Sequence, residues 1–391
     1  MANQRLVQLL SLSFISGCFC IGIGMGFFIR QGQWQVSEAS NIETETEFYL
    51  VAESEPLPET KKTVLDTVTI KAVGDIIPGT NFPDYRLPTS PDKLLPKSVR
   101  GYLQGADIVM GNLESTFTNH PHTPKNISRG QVFAFRSPPS YTSLFAEVGF
   151  NVFHIANNHA MDFGPVGFAD TVKNLTDVGI KTLGHKDQIL YLEANNMAIA
   201  MIGFAPYGMY NSIHDLAAAQ ALVTEAKKNA DIVIVSMHAG AEGTAALHVR
   251  NQTEFFYSEN RGNSIQFARK VIDAGADLVV GHGPHVPRAM EMYQGKLIAY
   301  SLGNFIGYRT LSTKAQTAYS MILEVKLNSQ GELVGGRIIP IHINNQGIPE
   351  IDQYFRTVGL LRYLNKNDHL LGPIEFNQQG EIVLVKADSN N

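Results

Sequence analysis

Short apolar segments alternate with amphipathic ones through most of the chain, and this alternation predicts strands separated by helices. Residues 66–73 alternate apolar and polar positions, as a half-buried strand does, whereas residues 231–237 and 277–280 are almost continuously apolar, as buried strands are. Further strands are predicted at residues 108–110, 151–155, 180–183, 197–204 and 297–302, helices at 141–148, 165–178, 215–229 and 263–274, and a hairpin at 318–343. The pattern indicates an α/β domain with a mixed sheet or two packed sheets, and it becomes less regular beyond residue 351.

The N-terminal pattern is different and predicts a membrane anchor. Residues 6–29 contain no charged side chain, and a run of that length can cross a bilayer as a helix. We therefore predict one transmembrane signal anchor at residues 1–30, which keeps a short tail in the cytoplasm and exports everything that follows. Two alternatives stay open: a lipoprotein anchored at Cys18, because residues 15–18 resemble a lipobox, and a cleaved signal peptide. All three readings export the body of the protein.

The rest of the chain divides by composition. Residues 31–64 are rich in Ser, Thr, Glu, Gln and Pro and have few apolar side chains, so they predict a flexible linker that cannot bury enough surface to fold. We predict one domain at residues 65–350, followed by a C-terminal extension at residues 351–391. Within the domain, residues 115–139 are polar and irregular, which indicates a surface excursion and a candidate lid.

Composition narrows the possible functions. A net charge of -5 over 391 residues gives no electrostatic reason to expect nucleic acid as a partner. The two cysteines, Cys18 and Cys20, both lie in the N-terminal apolar run, so the predicted domain has no disulfide, no thiolate metal site and no cysteine nucleophile. Any metal site in the domain must use carboxylate, amide and imidazole ligands.

Such ligands follow the predicted strands in series. The polar side chains at successive strand ends are Asp75, Asn112 with Glu114, Asn158 with His159, His238 with Glu242, and His282 with His285. Ligands gather at the carboxyl ends of strands in an α/β sheet, so we expect these side chains to meet there. The mixture suits divalent ions such as Mn, Fe, Zn or Mg, and a pair of such ions can activate water and stabilise a leaving oxygen.

The order and spacing of these segments resemble a known family. The segments are Gly74-Asp75, Gly111-Asn112-Leu113-Glu114, Asn157-Asn158-His159 with Asp162, His238-Ala239-Gly240-Ala241-Glu242, Gly281-His282-Gly283-Pro284-His285, and Ser301-Leu302-Gly303-Asn304-Phe305. Together they resemble the CapA family of poly-γ-glutamate capsule biosynthesis proteins, which is related to the calcineurin-like metallophosphatases.

The resemblance implies a fold and a set of roles. The fold would be a four-layer αββα sandwich of the metallo-dependent phosphatase type. Asp75, Glu114 and His285 would hold one divalent ion and Asn158, His238 and His282 a second, with Glu114 shared between them. His159 would be the general acid, oriented by Asp162. We add four residues as candidates for substrate contact or ligand support: Asn112, Glu242, Arg288 and Asn304.

One departure from the family's relatives keeps two functions open. The metallophosphatases begin with Asp-x-His, whereas this chain has Ile77 at the histidine position, which removes one imidazole ligand. The first hypothesis is a membrane-anchored, extracytoplasmic metal-dependent hydrolase that acts on an anionic envelope polymer or its precursor. The alternative is a non-catalytic factor that binds or anchors the polymer beside the synthase or export subunits of a capsule complex.

Overall fold

The predicted alternation of strands and helices is present in the computed structural model, which describes residues 66–130 and 132–383. The helices are α1 Lys97–Leu103, α2 Thr142–Val148, α3 Gly164–Asp177, α4 Leu216–Lys228, α5 Ser264–Asp273 and α6 Arg356–Asn367. The strands are β1 Thr67–Ile77, β2 Ile108–Leu113, β3 Thr116–Phe117, β4 Arg136–Ser137, β5 Val152–His154, β6 Lys181–Leu183, β7 Leu190–Ala194, β8 Met197–Phe204, β9 Ile232–His238, β10 Glu254–Phe256, β11 Glu259–Gly262, β12 Leu278–His282, β13 Met290–Tyr293, β14 Lys296–Ala299, β15 Asn304–Gly307, β16 Tyr319–Asn328, β17 Leu333–Ile343, β18 Pro349–Ile351, β19 Glu375–Phe376 and β20 Ile382–Val383. The predicted α/β class is confirmed.

Two large mixed sheets form the centre of the fold. The first has the order β18-β17-β16-β1-β2-β5-β6, with β15 pairing alongside β1, and the second has the order β13-β14-β12-β9-β8-β7. In the first sheet β1, β2, β5 and β6 are parallel, whereas β16, β17 and β18 are antiparallel. The antiparallel β16–β17 pair is the hairpin that the alternating pattern predicts.

The alternation of side chains along the strands explains how the sheets pack. Ile199 and Met201 of β8 contact apolar side chains of β1 and β2 between the two sheets, whereas Ala200 and Ile202 face α4 and α5 on the other side. A third cluster joins the outer face of the first sheet to α1, α2 and α3. Over the described residues, the layers therefore run helix, sheet, sheet, helix.

The irregular C-terminal segment contains α6, which the sequence pattern did not predict. The residue before this helix is Phe355, which is in the left-handed region at φ 54°. Its side chain has no oxygen to accept a backbone N–H, as a Ser, Thr, Asp or Asn cap would have. Asp352 supplies the missing acceptor instead, because its Oδ2 accepts the backbone N–H of Arg356 at 2.8 Å. Val358 and Leu361 belong to the cluster between the sheets, so α6 contributes to the core of the domain.

The predicted anchor at residues 1–30 and the linker at residues 31–64 lie outside the described residues. Over residues 66–130 and 132–383, none of the helices combines the length and the apolar character needed to span a bilayer.

Candidate metal centre

Strand register brings the predicted ligands of the first sheet together. Asp75 lies opposite Asn112 on the parallel strand β2 and opposite Asn304 on β15. In the second sheet, His238 at the end of β9 lies opposite His282 at the end of β12. Because β1 and β2 are parallel, and so are β9 and β12, the polar residues at their carboxyl ends lie on one edge of each sheet.

Asp75, Glu114 and His285 form a group in which one ligand atom from each residue lies within 4.8 Å of the others. His285 Nδ1 is 3.0 Å from Asp75 Oδ2 and 3.7 Å from Glu114 Oε2. His285 adopts a left-handed backbone conformation at φ 59°, which is unusual for a non-glycine residue and turns the chain sharply after Gly283 and Pro284. The three residues assigned to one ion are thus neighbours.

The second sheet reaches the same group through His238 and Gly283. His238 Nε2 is 3.9 Å from Glu114 Oε1, and the backbone N–H of Gly283 donates to Asp75 Oδ1 at 3.3 Å. A side chain at Gly283 would collide with the His238 ring, because an added Cβ would lie 2.8 Å from it. Glu114 therefore lies between the ligands of the two sheets.

Several ligand atoms at this edge are buried without a polar partner among the described residues: Glu114 Oε1 and Oε2, Asn158 Oδ1, His238 Nε2, and His282 Nδ1 and Nε2. Buried polar atoms are nearly always paired, because an unpaired one forfeits its hydration and gains nothing. A divalent cation accepts lone pairs from carboxylate, amide and imidazole together. The donor set thus fits a metal ion on its own chemistry.

The protonation states of two of the imidazoles, those of His238 and His282, agree with ligand roles. Burial lowers the pKa of His238 well below its usual range and lowers the pKa of His282 to about 4, so both rings are neutral and have a free lone pair. Burial also opposes the charge on His285, but Glu114 and Asp75 outweigh it and raise the pKa of His285 to about 10. A cation at this position would take over the role of that proton.

The pKa values of the two carboxyl groups, Asp75 and Glu114, shift in opposite directions. Burial raises the pKa of Glu114 well above its usual range, and the neighbouring Asp75 and Glu242 charges raise it further. The pKa of Asp75 is lowered despite its burial, because His285 and Asn112 stabilise the charged form through hydrogen bonds. A bound cation would therefore stabilise the charged form of Glu114 more than that of Asp75.

His159 and Asp162 form a hydrogen-bonded pair beside this edge. His159 Nδ1 is 2.9 Å from Asp162 Oδ2, and the same carboxylate oxygen accepts the backbone N–H of Phe135 at 2.6 Å. The Phe135 ring packs on the imidazole with 4.6 Å between ring centroids. Burial lowers the pKa of His159, and Asp162 pulls it the other way. The pair fixes Nδ1 as the protonated nitrogen and leaves Nε2 for another molecule.

Asn112 and Asn304 hold the ligands in place. Asn112 Nδ2 donates to Asp75 Oδ1 at 2.8 Å, and its Oδ1 accepts from Asn157 Nδ2 at 3.0 Å. Asn304 Oδ1 lies 3.0 Å from His285 Nδ1, and its Nδ2 donates to the carbonyl of Thr317 at 3.0 Å. Of the two roles predicted for these amides, the contacts describe ligand support.

Arg288 has a different surrounding from Glu242, although both were predicted as substrate or support residues. Arg288 is 0% exposed and forms a double ion pair with Glu254, at 2.9 and 2.8 Å. Its Nη2 also donates to the carbonyl of Ala241, while Glu254 accepts the N–H of the same residue. Arg288 therefore braces the loop that carries Glu242 and has no open face for substrate.

Sequence reasoning missed Arg261 and Lys125. Arg261 Nη2 lies 2.9 Å from Glu242 Oε1, whose partner oxygen Oε2 is 3.7 Å from His285 Nε2. Lys125 donates to the carbonyl of Asn158 at 3.0 Å and pairs with Asp162. Neither residue follows a predicted strand, so the strand-end pattern had no signal for them.

A cavity of about 780 Å³ opens beside the centre, and Asn158, His159, Glu242 and Arg261 contribute to its wall. Lys125, Arg129, Val132 and Phe133 from the predicted surface excursion line the same cavity. The candidate lid therefore borders the site, and a dissolved molecule has room to reach His159.

The fold and site define an α/β protein of two packed sheets with a candidate carboxylate–imidazole metal centre at the joined strand ends. The chain belongs to the family described as bacterial capsule synthesis protein PGA_cap, whose model matches residues 69–309. The resemblance to the CapA family is confirmed.

Two relatives in Bacillus show the extent of the similarity. The PGA biosynthesis protein CapA of Bacillus subtilis (strain 168) is 27% identical over 342 residues, which cover 81% of this chain and 83% of that protein. The capsule biosynthesis protein CapA of Bacillus anthracis is 27% identical over 324 residues, which cover 77% and 73% of the two chains. A solved structure, the 5'-nucleotidase precursor from Thermus thermophilus, aligns with a TM-score of 0.42 and 14% identity over 77% of this chain and 59% of that one.

Proposed function

We propose that this protein is a metal-dependent hydrolase of capsule synthesis, which acts outside the cytoplasm on an anionic envelope polymer or its precursor. The observation that carries the proposal is the set of buried, unpartnered ligand atoms beside an open cavity. Membership of the capsule synthesis family and the relatives named for poly-γ-glutamate synthesis support a polymer of the poly-γ-glutamate type as substrate. We also propose that the fold is of the metallophosphatase type, as the family resemblance implies.

Two divalent ions, of Mn, Fe, Zn or Mg, are proposed as cofactors. Asp75, Glu114 and His285 would hold one ion, and Asn158, His238 and His282 the other, with Glu114 between them. Bound divalent ions supply positive charge for a developing oxyanion and lower the pKa of water. The neutral forms of His238 and His282 support the assignment, since a ligating imidazole must be deprotonated.

His159 is the proposed proton donor to the leaving group. Its Nδ1 is held by Asp162, so the second ring nitrogen, Nε2, is the one that can face a substrate in the cavity. Burial lowers the pKa of His159, and an anionic substrate beside the ring would counter this by favouring the imidazolium form. Asp162 orients the ring and stabilises its charge, as a carboxylate behind a catalytic imidazole does.

A second candidate function is polymer binding without chemistry. Ile77, at the position where the metallophosphatases have a ligand histidine, is completely buried and cannot replace that imidazole. With fewer ligands, the centre would bind an anionic polymer and anchor it beside the synthase or export subunits. Retention of the His159–Asp162 pair favours the hydrolase, because binding alone requires no proton donor.

Elemental analysis of the purified full-length protein tests the centre directly. The expected result is about two equivalents of a divalent metal, one or both of which are lost in His238→Ala. His214→Ala is the matched control, because His214 is exposed and lies outside the centre. A wild-type protein that stays metal-free after incubation with Mn and Zn would favour the polymer-binding candidate.

The proposed location is the outer face of the cell membrane, with residues 1–30 as the anchor or, alternatively, a lipid at Cys18. Protease added to intact protoplasts should then digest the domain, and replacing Cys18 by serine should leave it attached if the apolar helix is the anchor.

A further inference from the structure

The Arg261 guanidinium is a buried charge that neither the proposed metal ligands nor the His159–Asp162 pair uses. Arg261 is 3% exposed, and it comes from β11, in the two-stranded β10–β11 sheet away from the strand ends that carry the predicted ligands. It nevertheless lines the same cavity as His159.

Two of the three guanidinium nitrogens of Arg261 are engaged. Its Nε donates to Glu259 Oε2 at 2.9 Å, and its Nη2 pairs with Glu242 Oε1 at 2.9 Å. The Phe256 ring supports the guanidinium carbon at 5.5 Å from the ring centroid. Glu259 is itself fixed by the Tyr207 hydroxyl, which donates to Oε2 at 3.2 Å. The side chain is therefore held in one orientation before any ligand arrives.

The third nitrogen, Nη1, is buried and has no acceptor among the described residues. A buried guanidinium N–H without an acceptor is unfavourable, so such donors are normally satisfied. The planar fork of arginine suits the paired oxygens of a carboxylate or a phosphate. The positive charge of Arg261 also acts on the Glu114 carboxyl and the His238 ring. It opposes the rise in the pKa of Glu114 and adds to the lowering of the pKa of His238.

The other charges of the cavity agree with an anionic ligand. Three cationic side chains, Lys125, Arg129 and Arg261, line it, against two carboxylates, Glu242 and Glu259. Both carboxylates are already paired with Arg261, and a metal ion beside them would add further positive charge.

We propose that Arg261 is the residue that binds the substrate's oxyanion, a carboxylate or phosphate group next to the reacting bond, through Nη1. The proposal rests on the proposed function, because it assigns a ligand to the same cavity. It predicts that this cavity selects for negative charge at one position of the substrate, and that the selection is separate from metal binding.

Anion titrations of the purified full-length protein, stripped of metal by a chelator, test the assignment. Inorganic phosphate and glutarate are titrated separately by calorimetry into wild type, Arg261→Met, Arg261→Lys and Arg250→Met. Arg261→Lys keeps the charge opposite Glu242 and Glu259, so it tests the fork if Arg261→Met fails to fold. Arg250→Met is the control for lost charge, because Arg250 is exposed and lies outside the cavity lining.

Wild type is expected to bind at least one of the two anions with a Kd on the order of millimolar. Both Arg261 variants should weaken that binding by about tenfold or more, and Arg250→Met by less than about threefold. Binding of phosphate alone would assign a phosphate group, and binding of glutarate alone a carboxylate. Equal affinity in wild type and Arg261→Lys, or no binding of either anion by wild type, would overturn the proposal.

Metal content, measured on aliquots of the same preparations taken before the chelator is added, separates this inference from the proposed function. Two metal equivalents with anion binding that ignores Arg261 would remove the inference and leave the metal centre standing. Anion binding that depends on Arg261 in a protein that never takes up metal would support the inference while the hydrolase proposal failed.

Discussion

Replacing Glu114 by glutamine should leave the protein at least as stable as wild type without metal, but the variant should gain less stability than wild type when metal is added. Both carboxylate oxygens are buried without a polar partner among the described residues, and the nearest cationic nitrogen is His285 Nδ1 at 3.7 Å. Burial and the neighbouring Asp75 and Glu242 charges raise the pKa of Glu114 well above its usual range. Each unit of such a rise represents about 1.4 kcal/mol that the charged form takes from folding near neutral pH. A neutral side chain of the same shape has no such cost.

The sizes of the two effects can be worked out separately. Without metal, Glu114→Gln should be at least as stable as wild type, and more stable by about 1 kcal/mol if glutamine finds its hydrogen bonds. With an ion at a hundred times its Kd, wild type gains about 2.7 kcal/mol. The variant loses the central charged ligand, so it should gain less than about 1 kcal/mol at the same ion concentration.

Thermal unfolding followed by circular dichroism, once with chelator and once with added Mn, measures both effects. At about 2 °C per kcal/mol for a domain of this size, Mn should raise the Tm of wild type by roughly 5 °C and that of Glu114→Gln by roughly 2 °C or less. Glu147→Gln, an exposed substitution on α2, should behave as wild type in both conditions. A Glu114→Gln protein that gains as much as wild type from Mn would refute the reasoning, since Glu114 could not then be a ligand.

Three further predictions concern other parts of the site. His282→Ala should lose about one equivalent of metal in elemental analysis, because both nitrogens of His282 lack a protein partner among the described residues. His159→Gln should keep its metal but lower turnover of a phosphoester or amide substrate by about 10²- to 10⁴-fold, because it removes the proton donor. Arg288→Met should lower the free energy of unfolding in urea by about 3 kcal/mol, because it leaves Glu254, whose side chain is only 10% exposed, without its ion-pair partner.

Matched variants show what would contradict these three predictions. If His214→Ala, which changes an exposed histidine, loses as much metal as His282→Ala, the loss is not specific to the centre. Metal loss in His159→Gln would make His159 a ligand instead of a proton donor. Arg337 and Glu324 form a more exposed ion pair, so Arg337→Met should cost less than about 1 kcal/mol. An Arg288→Met variant no less stable than Arg337→Met would remove the bracing role.

Much of the fold was predictable because strands and helices leave different periodicities in a sequence. The apolar runs at β9 and β12 are long enough to be buried on both faces, and the structure buries every residue of both strands. The helix α6 was not predictable in the same way, because its N-terminal acceptor comes from Asp352, four residues before its first residue, instead of from a capping residue at its start.

The sequence by itself determined which side chains would stand at the strand ends. Asp75, Asn112, His238 and His282 each follow or end an apolar segment, and parallel pairing then leaves Asp75 beside Asn112 on the edge of one sheet and His238 beside His282 on the edge of the other. The tertiary structure alone decided that the edges of the two sheets meet, so that Glu114 of one lies 3.9 Å from His238 of the other. That meeting depends on the packing of two sheet faces, which no local pattern encodes.

Tertiary packing also decided which of the arginines near the centre face the cavity. Arg288 was predicted beside the site because it follows His285 closely in sequence, yet its side chain turns into the interior to brace the peptide of Ala241. Arg261 follows no predicted strand end, yet the β10–β11 hairpin carries it to the cavity. The position of a residue in the sequence determines which strand, helix or loop carries it, whereas the direction of its side chain depends on the layers packed around it.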